Sequence, residues 1–194
     1  MKAKNISTGI KDIKLKRGPQ IITRKDAASI VGETGLRPDW NCLDLGGGSG
    51  FLSLFLANLL TNGKVTTYEI KKENVDIIKE NLRRLGLNNL RIVNKPAENF
   101  TGRNFDLITI DMKGAEGLVK KCFTALKKNG WLAVYSPHIE QQIECRKEME
   151  RAGFTRIKTI ENVQREWKVD TRGYTHPVPS QVVHTGFLTF ARKI

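Results

Sequence analysis

The order of elements predicts an α/β fold, a seven-stranded, mostly parallel sheet ending in an antiparallel C-terminal hairpin. Three observations predict it. Short apolar or β-branched runs alternate with helical segments through the first five strands, which calls for a parallel sheet with right-handed crossovers. The last two strands have no helix between them, so they pair antiparallel at one edge. The first strand runs straight into Gly46-Gly47-Gly48-Ser49-Gly50, a turn whose glycines tolerate positive φ and let backbone N–H groups approach a ligand.

Taken in order, residues 20–23 read as a short extended piece after Pro19. From Lys25 the apolar positions Ala27, Ala28, Ile30 and Val31 fit a helix, ended by Gly32 or Gly35 and closed off by Pro38. The strand Leu43-Asp44-Leu45 and the glycine turn follow, then a helix to about residue 60 with Asn62-Gly63 as its stop. Residues 65–70 form a second strand ending in Tyr68-Glu69. Residues 74–85 form an amphipathic helix, with Val75, Ile78, Leu82 and Leu85 on one face and Gly86 as its cap. Strands are expected at 90–93, 105–110 and 131–135, the last two separated by a helix over about 117–126 that stops at Asn129-Gly130. Residues 138–151 are helical, and the strands at 155–163 and 185–191 are joined by a long polar loop.

Composition narrows the class. The 194 residues suffice for one full core, and 39% hydrophobic with 27% charged residues is ordinary for a soluble globular chain. No apolar run is long enough to span a bilayer, and Cys42, Cys122 and Cys145 form no CxxC pair. Neither a disulfide framework nor a metal site is expected, and the location expected is cytoplasmic. The net charge of +13 attracts polyanions, of which nucleic acid is the foremost. Lys2, Lys4, Lys11, Lys14, Lys16, Arg17 and Arg24 crowd the N-terminus against a lone Asp12, so residues 1–24 read as a basic arm and 25–194 as the catalytic domain.

In open α/β sheets the ligand sits beyond the carboxyl ends of the strands. There lie Asp44 with the glycines, Glu69, Ala97-Glu98 and Asp111. Glu69 falls about twenty residues after the turn, where an acid accepts both ribose hydroxyls of an adenosine group. That contact serves NAD and S-adenosylmethionine equally. The terminal hairpin decides for the latter, because five alternating units followed by a hairpin resemble the Class I (Rossmann-like) methyltransferases. Asp111 follows Ile108-Thr109-Ile110 and should face the transferring methyl group or its acceptor; the plainer reading is a helix N-cap. No Pro-Pro-aromatic follows Asp111 and no Pro-Cys occurs, which disfavours exocyclic-amine and cytosine-C5 chemistry. Direct attack by a ring nitrogen remains, needing alignment and a carboxylate near the charge that develops.

A set of short stretches is similar to the tRNA (adenine-N1)-methyltransferases that modify the T-loop. They are Gln20-Ile21-Ile22 with Lys25-Asp26, the glycine turn, Tyr68-Glu69, 135–141 (Tyr135-Ser136-Pro137-His138-Ile139-Glu140-Gln141), and 184–193, beginning His184-Thr185-Gly186-Phe187. The resemblance implies S-adenosylmethionine bound by Ile22, Asp44, Gly46, Gly48, Ser49, Gly50, Glu69, Ala97, Glu98 and Asp111, with Asp111 catalytic. It implies an RNA partner, tRNA first, and a homotetramer. Arg24, Tyr174, His184 and Thr185 are the expected substrate contacts. The family carries a small β-domain ahead of the catalytic one, where this chain has the basic arm. It also has Tyr-Pro at Thr23-Arg24, and a proline-tryptophan continuation where Met112-Lys113-Gly114 stands. Arg165, Trp167, Lys168, Arg172, Tyr174 and His176 interleave aromatic and basic groups in the long loop, a pattern suited to stacking on an unstacked base. Two rival readings are a decarboxylating precorrin-type methyltransferase and a non-catalytic RNA-binding subunit.

Overall fold

A computed structural model describes residues 15–18, 22–179 and 183–194. The greater part of the basic arm, residues 1–14, and Gln20-Ile21 of the family-like stretch lie outside the described residues.

The sheet has seven strands in the order β3-β2-β1-β4-β5-β9-β6. Its first half is parallel: β1 (Asn41–Leu45) at the centre, β2 (Lys64–Tyr68) and β3 (Leu90–Val93) to one side, β4 (Phe105–Ile110) and β5 (Leu126–Ser136) to the other. The last strand, β9 (Phe187–Arg192), slots antiparallel between β5 and the edge strand β6 (Thr155–Glu161), as the missing helix between them requires.

Both faces of the sheet are covered, which is why the central strands read as nearly continuous apolar runs. Alternate residues serve opposite cores. Leu43, Leu45, Ile108, Ile110 and Val134 pack with Val119 of α4 (Val119–Ala125) and with Cys145 and Met149 of α5 (Ile139–Ala152). Cys42, Val65, Leu107, Ala133 and Phe190 pack with Ile30 of α1 (Arg24–Thr34), Leu54 of α2 (Phe51–Leu59) and Ile78 of α3 (Lys72–Leu85). Gly35, at φ 65°, ends α1, so Gly32 lies inside it. The three cysteines are free and buried, and burial raises all three thiols, Cys122 and Cys145 to about 12.

Two local expectations need correction. Asn129-Gly130 does not stop a helix. Helix α4 ends earlier, at Ala125, after a 3-10 turn over Ala115–Leu118, and β5 already begins at Leu126. Asn129 at φ 65° makes an irregularity inside β5, which steps from Phe105 opposite Leu126 to Leu107 opposite Trp131. The long polar loop contains a two-stranded hairpin, β7 (Trp167–Lys168) against β8 (His176–Pro177). Residues 15–18, within the basic arm, lie against α3. Leu15 is buried, and Asn81 of α3 accepts from the Lys16 N–H at 2.8 Å and donates to its carbonyl at 2.9 Å.

Candidate cofactor cleft and active site

Register builds the site. Leu45 is paired with Tyr68 on one side and Ile110 on the other, so the residues that leave the three strands, Gly46, Glu69 and Asp111, emerge together at one edge. This is also where the strand order reverses direction around β1, the usual ligand crevice of such sheets.

The glycine turn is held by its neighbours. Gly46 and Gly47 N–H groups both donate to the Tyr68 carbonyl, at 3.1 and 2.9 Å. Gly46 sits at φ 91°, and a Cβ there would stand 2.3 Å from the Asp111 carbonyl oxygen, so the turn and the β4 end touch backbone to backbone. Gly48, at φ 52°, has nothing within 4 Å of an added Cβ among the described residues. Gly50 is needed for a different reason: a side chain there would meet Ile78 at 2.9 Å.

Glu69 is buried and bridges two elements. Its Oε2 accepts the Gly48 N–H and its Oε1 the Lys71 N–H, each at 2.7 Å. Asp44 is fully buried below the turn, with Thr67 and Thr109 hydroxyls each donating to it at 2.8 Å. Burial, and the Glu69 charge, raise its pKa against those two bonds. Asp111 has its backbone N–H on the Leu45 carbonyl at 2.9 Å, but no hydrogen bond reaches its carboxylate among the described residues. Burial, with the Asp44 charge adding to it, pushes Asp111 up to about 7.

Two joined hollows result. A small one of about 20 Å³ lies between Ile22, Asp44, Ser49, Phe51 and Asp111. A larger one of about 340 Å³ runs past Gly48, Glu69, Ile70, Ala97, Glu98 and Met112, within the size range of small-molecule sites. Of the ten expected cofactor residues, all but Gly50 line one hollow or the other. The wall also includes residues that sequence reasoning missed: Gly18, brought over Ser49 by the Lys16–Asn81 bonds, Asn74, Met112 and Ile70. Ile70 carried a readable signal, an apolar residue directly after the acid, and it stands 63% exposed beside the crevice.

The four expected substrate residues do not gather here. Arg24 opens α1 on an adjoining depression, and Tyr174 is 77% exposed on the β7–β8 hairpin segment. His184 pairs with Glu161 at 2.5 Å, which raises its pKa. The Thr185 hydroxyl donates to Asp26 at 2.7 Å and accepts from Lys25 at 2.6 Å. Asp26 is the hub of that knot. Burial alone would raise its pKa, but bonds from Thr23, Asn162, Thr185 and Lys25 outweigh burial and lower it.

A model of the tRNA methyltransferase complex GCD14 subunit family matches residues 10–178. The chain belongs to this family. Among curated proteins it is 27% identical to the tRNA (adenine(57)-N(1)/adenine(58)-N(1))-methyltransferase TrmI of Methanocaldococcus jannaschii, over 92% of this chain and 73% of that one. It is 31% identical to the tRNA (adenine(58)-N(1))-methyltransferase TrmI of Thermus thermophilus, over 92% and 71%. Among solved structures, an S-adenosylmethionine-dependent O-methyltransferase from Thermotoga maritima superposes with a TM-score of 0.86 at 29% identity, covering 91% of this chain and 68% of that one. In this GCD14-family chain the cleft fits a nucleoside cofactor on its own chemistry. Among the described residues the Ser49 hydroxyl is buried without a partner beside an open Gly48, and Glu69 presents a carboxylate at the same wall.

Proposed function

We propose that the protein methylates N1 of an adenine in tRNA with S-adenosylmethionine as donor. The observation that carries the reading is the meeting of Gly46, Glu69 and Asp111 at one sheet edge, with the Asp111 carboxylate half-buried, without a hydrogen bond among the described residues, and raised to about 7. When bound, the cofactor supplies an electrophilic sulfonium methyl group. Glu69 is the ribose acceptor, Gly48 and Ser49 take the methionine part, and Ala97-Glu98 flank the adenine. Ile22 and Phe51 line the small hollow with apolar surface, which keeps water from the reacting atoms. Asp111 orients the acceptor base and stabilises the positive charge that appears on it as its ring nitrogen takes the methyl group. A T-loop adenine has to be flipped out of its stack to arrive there.

A homotetramer in the cytoplasm belongs to the same reading, and three unpaired, buried thiols are in keeping with a reducing compartment. Residues 15–18 and 22–24 pack with the catalytic domain, so the arm that reaches for RNA is here the part of 1–24 ahead of Leu15.

Incubation with methyl-labelled cofactor and an unmodified tRNA transcript, followed by digestion to nucleosides, tests the reading. Labelled 1-methyladenosine is expected. A ribose-methylated nucleoside, or RNA binding without transfer, would overturn it. Asp111→Ala should keep cofactor affinity while turnover falls roughly a hundredfold.

A further inference from the structure

We infer that the depression between α1, α2 and the end of β6 holds the RNA nucleotide next to the methylated base. The inference rests on the RNA-methylating reading and adds to it where the strand lies. The depression encloses about 710 Å³ and is lined by Arg24, Ala28, Phe55, Glu161, Val163 and Gln164. It adjoins the small hollow along two elements at once. Ile22 lines the hollow and Arg24, two residues on, lines the depression; Phe51 lines the hollow and Phe55, one turn along α2, lines the depression. The step along the helix is about 6 Å, on the scale of one nucleotide in an unstacked strand.

Its chemistry selects the occupant. Lys25 is spent on Asp26, the Asn162 carbonyl and Thr185, and Asn162 on Asp26 and Ser29, so these groups fix the wall and leave the ligand to others. The Glu161 carboxylate is engaged by the His184 ring nitrogen at 2.5 Å. Arg24 is exposed and has no hydrogen bond or ion pair among the described residues. One guanidinium beside a phenylalanine ring and the apolar Ala28 and Val163 is what a phosphate and a stacked base require. The depression is wide open, whereas a small ligand would need to be mostly enclosed; an open trough suits a segment of a longer chain. The lining continues directly from Gln164 into Arg165 and Trp167, whose guanidinium and ring lie 6.0 Å apart, with the tryptophan 54% exposed. A track therefore leads from Asp111 past Arg24 and Phe55 to the hairpin.

The test compares Arg24→Ala and Phe55→Leu with the unaltered protein, using an unmodified tRNA transcript; leucine keeps apolar bulk where the ring is half-buried. Each variant should raise the KM for tRNA about tenfold, with cofactor affinity unchanged. Arg24→Ala should also lower the slope of log affinity against log salt by about one, and Phe55→Leu should leave that slope alone. Lys128→Ala, exposed at the opposite end of the sheet, should change neither. Wild-type affinity and slope in Arg24→Ala would overturn the inference, as would a change of oligomeric state in place of a change in RNA binding. RNA affinity measured by titration decides the matter without turnover, so a protein that transfers no methyl group sinks the functional reading while the depression is still judged.

Discussion

Asp111 owes its character to what is missing around it. Asp26 and Asp44 are buried and Asp111 is half-buried, yet Asp26 collects four side-chain donors and Asp44 two threonine hydroxyls, while no bond reaches the Asp111 carboxylate among the described residues. In the unfolded chain an aspartate ionises near 4; in the folded protein this one waits until about 7. Between those values the folded state binds the extra proton, so stability falls as pH rises, and the deficit is complete above about 7. Asp111→Asn removes the deficit. Its melting temperature should exceed that of the unaltered protein by a few degrees at pH 8, and the two should converge toward pH 4. Activity runs the other way: kcat/KM, which reports the free enzyme, should climb through about pH 7 in the unaltered protein and lie low and flat in the variant. A melting temperature unchanged at pH 8 would show that the carboxylate carries no such strain. The position of Asp111 was legible, one residue past an apolar run. Its isolation was not, because which carboxylate gains donors is decided by the folded packing, which brings Thr67 and Thr109 to Asp44.

At the scale of elements, two backbone contacts fix where the end of β4 lies. Gly46 packs a bare Cα against the Asp111 carbonyl, and the Gln141 side-chain amide, in the first turn of α5, donates to the Met112 carbonyl at 2.8 Å. Gly46→Ala would drive a methyl group to 2.3 Å from that carbonyl oxygen at φ 91°, so it should cost several kcal/mol and abolish cofactor binding. Gly48→Ala meets nothing within 4 Å among the described residues and should cost only about 1–2 kcal/mol for its left-handed backbone, its effect falling on cofactor affinity. Equal melting temperatures for the two would contradict the packing described. Gln141→Ala should lower kcat about tenfold with cofactor affinity little changed, and Gln141→Glu, similar in shape but without the donor when ionised, should behave like alanine. Wild-type turnover in Gln141→Glu would sink the clamp. Elements of this kind were readable when one periodicity ran their length, as in α3, and unreadable when two-residue strands or a left-handed residue decided them. Trp167–Lys168 and His176–Pro177 are too short to show a period, and Asn129-Gly130 has the same letters whether it ends a helix or bends a strand.

For the molecule as a whole, alternation and the helix-free ending were enough to give the sheet, because right-handed crossovers leave few ways to join five parallel strands. What joins the two ends of the chain was hidden. Lys25, Asp26, Ser29, Asn162 and Thr185 form one bonded group only after β9 has slipped between β5 and β6, so no local pattern announces it. The net charge of +13 also acts at this scale, since it belongs to no single element. If that charge grips phosphates, log affinity for tRNA falls linearly with log salt at about 0.9 per phosphate neutralised; about six such contacts lose roughly a thousandfold between about 50 and 200 mM. Cofactor affinity should hardly move over the same range, because Glu69 is buried and takes its contacts through hydrogen bonds. Removing residues 1–14 deletes Lys2, Lys4, Lys11 and Lys14 against one acid, Asp12. The shortened chain should bind tRNA with a shallower salt slope while its cofactor affinity stays the same. A steep slope that survives the removal would assign the phosphate grip to the folded surface around Arg24 and the hairpin, and a flat slope in the full chain would leave the charge without an RNA-binding role.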